Sequence, residues 1–137
     1  MATKGKILIV DDDPDFVKTT KMILLTDGYE VFWAGDGKEG LVKAKELQPD
    51  LIMLDIMMET LFEGFSFLGT IRDAEEYESV STTPILMVSS VKADTGSRFS
   101  FGDEQDTSDV APDEYLDKPL KPKELLEKVA KMIQKPK

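Results

Sequence analysis

Five short strand-like runs punctuate the chain, and three of them, Ile7-Leu8-Ile9-Val10, Leu51-Ile52-Met53-Leu54 and Ile85-Leu86-Met87-Val88, are apolar at every position. A strand with no polar face has to be covered on both sides, which is the situation of a parallel sheet enclosed by helices. The segments between the runs carry the helical period that this arrangement needs. Asp13-Pro14 reads as an N-cap followed by proline at the first helical position. It opens a helix with Phe16, Thr20, Ile23 and Leu24 on one face and an end near Asp27-Gly28. Glu30 to Ala34 reads as the second strand. Asp36-Gly37 then leads into a helix with Leu41, Ala44 and Leu47 inward, stopped by Pro49. A third helix is expected within 63–77, with Phe67, Leu68 and Ile71 inward. Glu114 to Asp117 forms the fifth strand, and Pro122 to Gln134 a last helix with Leu125, Leu126, Val129, Met132 and Ile133 on one face. Residues 91–112 are rich in Gly, Ser, Thr and Asp and show little periodicity, so an atypical segment is expected between strands four and five. The expected fold class is α/β, a doubly wound five-stranded parallel sheet in a single domain over 1–137, with no output domain.

What such a chain can do is narrowed by two residue types it lacks. With no cysteine and no histidine, thiolate zinc sites, thiol nucleophiles, imidazole bases and phosphohistidine relays are excluded. Carboxylate, hydroxyl and amine chemistry remains, and carboxylates suit hard cations such as Mg²⁺. The 27 acidic and 17 basic side chains leave a net charge of −10, which repels phosphate backbones and argues against direct nucleic-acid binding. No run approaches the roughly 18 to 20 apolar residues of a membrane span, and the N-terminal run is too short for a signal peptide. A soluble, cytoplasmic protein is expected.

In an open parallel sheet, ligands bind beyond the carboxyl ends of the strands, where the strand order reverses. Here the first strand ends in Asp11-Asp12, the third in Asp55, the fourth in Ser89 and the fifth in Lys118. If strands one and three are neighbours at the reversal, three carboxylates converge and require a compensating cation, for which Mg²⁺ is the natural choice. A carboxylate so placed can attack an activated phosphoryl group, with a lysine balancing charge and a hydroxyl donating a hydrogen bond to the product. Asp55, Lys118 and Ser89 have the chemistry for those three roles.

The chain resembles the CheY-like receiver domains of response regulators. The resemblance is carried by ILIVDDD at 7–13, PDLIMLDIMM at 49–58, PILMVSS at 84–90 and YLDKP at 115–119, in order and each at a strand end. It implies a flavodoxin-like sheet of order 2-1-3-4-5, and a two-component signalling role in which Asp55 takes a phosphoryl group from a histidine kinase or phosphotransfer protein. It further implies that Asp12 holds Mg²⁺ directly and Asp11 through water, with the backbone carbonyl of Met57 as another ligand. Ser89 matches the switch hydroxyl, Tyr115 the aromatic that follows it, and Lys118 the phosphoryl-binding lysine, with a cis bond expected before Pro119. Met57 and Val91 match positions that influence the attacking water, and both being apolar implies a long-lived phosphoryl group. Such a protein catalyses only its own phosphorylation and dephosphorylation. It signals to a separate protein target as a monomer or a phosphorylation-dependent dimer.

Two features depart from the family pattern. Glu59 stands where a proline is usual, and the following glycine, Gly64, comes one residue late. Between Lys92 and Asp117, two basic and eight acidic side chains give a net −6, whereas Lys118 to Lys137 carries +5. The last helix could therefore dock the acidic segment or an acidic partner. Two other functions compete. Asp13-Pro14-Asp15-Phe16-Val17 fits the D-x-D-x-V pattern of haloacid-dehalogenase-like phosphatases, and a receiver-like scaffold could work without phosphorylation.

Overall fold

The computed structural model describes residues 4–55, 66–67, 69–72, 74–89, 114–118 and 120–134. Strand β1 spans Lys6–Val10, β2 Glu30–Ala34, β3 Leu51–Asp55, β4 Ile85–Ser89 and β5 Glu114–Asp117, all parallel in one sheet of order β2-β1-β3-β4-β5. Because strand side chains alternate between faces, the wholly apolar runs supply two cores. Leu8, Val10, Ile52, Leu54, Ile85 and Met87 face one side and pack with Ala44, Phe67 and Ile71. Ile7, Ile9, Leu51, Met53, Leu86 and Val88 face the other and pack with Val17, Leu24, Leu125 and Val129.

Helix α1, Pro14–Thr26, begins as expected, with the Asp13 carboxylate accepting from the N–H groups of Asp15 and Phe16. Gly28 beyond its end has φ +101, a conformation that glycine adopts without a Cβ clash. Helix α2, Gly37–Leu47, is capped by Asp36, and its last turn closes at Gln48, which is left-handed at φ 51, one residue before Pro49. Gly40 lets α2 approach the sheet, since a Cβ there would lie 3.0 Å from Phe67 Cε2 and from both Val10 methyls. The C-terminal helix, Pro122–Gln134, buries Leu125, Val129 and Met132.

A third helix lies within the expected 63–77. Residues 66–67 and 69–72 are helical, with Phe67 and Ile71 buried as anticipated, but a separate 3₁₀ helix occupies Glu75–Val80. The break falls at Ala74, which is extended at φ −71 and ψ 129. Arg72 holds the chain in this path by donating to the carbonyls of Ser81 at 2.7 Å and Thr83 at 3.0 Å. Leu68, Met57, Glu59, Gly64, the 91–112 segment and Pro119 with its expected cis bond lie outside the described residues. Among the described residues, no helix is long and apolar enough to cross a membrane.

Candidate functional site

The sheet register brings the acidic strand ends together. Val10 pairs with Leu54 and Asp55 with Val88, so Asp11, one residue beyond β1, lies beside the end of β3. Carboxylate oxygens of Asp11, Asp12 and Asp55 come within 4.8 Å of one another. Asp11 and Asp55 are 1% and 5% exposed, while Asp12 is open to solvent. Three carboxylates at this spacing form a hard-oxygen donor set that fits a divalent cation such as Mg²⁺.

Lys118, just past β5, reaches across β4 to this group. Its Nζ donates to Asp11 Oδ2 at 3.3 Å and lies 3.5 Å from Asp55 Oδ2. The Phe16 ring covers the ammonium at 4.2 Å, a cation–π contact that holds the lysine over the acids. Burial pushes the Asp11 carboxyl up to about 6, and the neighbouring Asp55 charge adds to this, while the Asp13 N–H and Lys118 work against it. The Asp13 N–H is bonded to Asp11 Oδ1 at 2.9 Å.

The structure therefore groups Asp11, Asp12, Asp55 and Lys118 in one place. Met57 lies outside the described residues. The Ser89 backbone ends β4, opposite Asp117, but its side chain is likewise outside the description. Tyr115 is half-buried and packs against the core on the α2 side of the sheet. Asp13 proves to be an exposed helix cap rather than a strand-end nucleophile, which removes the residue on which the dehalogenase-like reading depended. Two residues escaped sequence reasoning. Phe16 reads only as a helix-face residue, and Trp33, whose indole Nε1 donates to the Asp11 carbonyl at 2.7 Å, carries no local signal beyond being the single tryptophan.

The response regulator receiver domain profile matches residues 7–130. The chain belongs to the response regulator receiver family. It is thus a receiver domain of the two-component type, a signalling module rather than a conventional enzyme. The chemotaxis response regulator CheY4 of Vibrio cholerae superposes with a TM-score of 0.77 at 31% identity, covering 95% of this chain and 99% of that one. The DNA-binding response regulator MtrA of Mycolicibacterium smegmatis is 31% identical over 132 residues, 92% of this chain and 49% of the relative. RpaA of Synechocystis, a DNA-binding dual master transcriptional regulator, is 33% identical over 130 residues, 95% of this chain and 49% of the relative. The receiver chain thus spans about half the length of these curated relatives.

Proposed function

We propose that this receiver domain accepts a phosphoryl group on Asp55 in a Mg²⁺-dependent reaction. The donor is a histidine kinase or phosphotransfer protein, and the signal passes through the domain surface to a separate protein. The observation that carries the reading is the convergence of Asp55 with Lys118 at 3.5 Å and with the Asp11 and Asp12 carboxylates at the end of β3. Because these 137 residues contain no histidine, a phosphoimidazole donor has to lie outside them.

An Asp55 carboxylate oxygen forms a bond to phosphorus as the bond from phosphorus to the donor nitrogen breaks, and the electron pair leaves with that nitrogen. Lys118 supplies a positive charge beside the transferring oxygens, and the Phe16 ring keeps its ammonium in place. Asp12 would hold the cation directly and Asp11 through water, with Asp55 and the Met57 carbonyl as further ligands. Mg²⁺, when bound, neutralises charge on the acids and the phosphoryl oxygens. Afterwards the Ser89 hydroxyl donates to the phosphoryl group, and Tyr115 follows that movement. Apolar Met57 and Val91 restrict the attacking water, so the phosphoryl group is long-lived.

The net charge of −10 favours a protein over nucleic acid as the direct contact, in the cytoplasm. Intact-protein mass spectrometry after incubation with acetyl phosphate and Mg²⁺ tests the reading. One phosphoryl adduct is expected, absent from Asp55→Asn and from a sample with excess chelator. A folded wild-type protein that takes no adduct from acetyl phosphate or from a kinase, and binds no Mg²⁺, would instead be a scaffold.

A further inference from the structure

We propose that Trp33 is a positioning residue for the acidic pocket. Its indole N–H fixes the peptide joining Asp11 to Asp12, and so makes the pocket rigid enough to favour Mg²⁺ over larger divalent cations. The inference rests on the reading of Asp11, Asp12 and Asp55 as cation ligands.

Strand β2 lies at the edge of the sheet, and its last two residues hold Asp11 from both sides. The Asp11 N–H donates to the Ala34 carbonyl at 3.1 Å, and the Asp11 carbonyl accepts from Trp33 Nε1 at 2.7 Å. One residue further on, the Asp13 N–H donates to Asp11 Oδ1 at 2.9 Å, and Asp13 itself caps α1. The backbone that presents the two acids is therefore tied to β2 before them and to α1 after them. Trp33 is 40% exposed and belongs to neither apolar core. Burial of its ring thus does not account for its place, whereas the hydrogen bond to the pocket does.

Rigidity here has a chemical consequence. Mg²⁺ requires near-ideal octahedral geometry at about 2.0–2.1 Å, whereas Ca²⁺ accepts flexible ligand sets at about 2.3–2.6 Å. Asp12 is exposed, so the packing around its own side chain does not fix it. Its direction follows from the peptide that Trp33 holds. Without that hydrogen bond the Asp11–Asp12 peptide can rotate and the pocket can widen, at greater cost to the smaller ion.

Isothermal titration of the full chain with MgCl₂ and, separately, CaCl₂ would compare wild type with Trp33→Phe, which keeps an aromatic ring and removes the donor. Loss of a group that orients metal ligands typically weakens affinity by about tenfold or more. About that loss is expected for Mg²⁺, with a several-fold smaller one for Ca²⁺, so that the Mg²⁺/Ca²⁺ preference falls. Unchanged affinities, or equal losses for both ions, would overturn the role of Trp33 and leave the cation site standing. A wild-type protein that binds neither ion would overturn the cation reading and this one with it. Should Trp33→Phe fail to fold, the wild type still decides. Its single tryptophan gives one indole N–H resonance, expected to be protected from hydrogen exchange, and exchange at the rate of free indole would overturn the tether.

Discussion

Replacing Asp11 with asparagine should stabilise the metal-free protein at neutral pH, although it removes a partner of Lys118. Burial is the chief reason that the Asp11 carboxyl is pushed from 3.8 up to about 6. The gap between those values corresponds to about 3 kcal/mol that ionising Asp11 costs the folded state. A folded-state pKa above the unfolded one means that the fold binds the proton more tightly. This contribution is therefore fully present below 3.8 and is lost as the pH rises through about 6. Asp11→Asn keeps an oxygen to accept from the Asp13 N–H and carries no charge to desolvate. Urea unfolding in excess chelator should show the variant more stable by up to about 3 kcal/mol at about pH 7.5, with about half of that gain left at about pH 5. Mg²⁺ at about 100 times its Kd should cancel most of that advantage, since it adds about 2.7 kcal/mol to the protein that binds it. The reasoning fails if Asp11→Asn gains nothing at neutral pH. It also fails if the gain is equal at both pH values, because charge burial would then not be its source.

Three further outcomes follow from the geometry. Lys118→Met removes the cation 3.3 Å from Asp11 and 3.5 Å from Asp55. It should cost about 3 kcal/mol near neutral pH, the low end for breaking a buried pair, and the loss should shrink toward pH 5 as Asp11 takes up its proton. Gly40→Ala gains about 1 kcal/mol of helix propensity but drives a methyl to 3.0 Å from the buried Phe67 and Val10 side chains. Because overpacking costs about 1–3 kcal/mol, urea unfolding should show a net loss. Asp13→Ala removes the α1 cap and should lower stability by about 1 kcal/mol in urea unfolding.

Much of the architecture is legible in the sequence because its signals are local. Wholly apolar runs demand cover on two faces, and the bounds of β2, β5 and the C-terminal helix agree with the residue pattern at both ends. Asp13-Pro14 caps α1 within the reach of its own side chain, so no distant residue is needed to place it. The separate 3₁₀ helix, which the residue pattern does not announce, has the opposite cause. Nothing local forecasts that Arg72 will bond the carbonyls of Ser81 and Thr83 and hold a 3₁₀ helix at Glu75–Val80 apart from the preceding turn.

The site divides in the same way. That Asp11, Asp12, Asp55 and Lys118 stand at strand ends is a property of the sequence, and so is the carboxylate chemistry forced on a chain without histidine or cysteine. That they meet depends on β1 lying between β2 and β3, an adjacency that a strand's own residues do not encode. Only the assembled sheet brings the Lys118 ammonium over two buried acids and beneath the Phe16 ring, and the Trp33 indole onto the Asp11 carbonyl. These contacts join residues far apart in the chain. Their energies therefore depend on register, burial and the low dielectric inside the fold, none of which exists before the strands are paired.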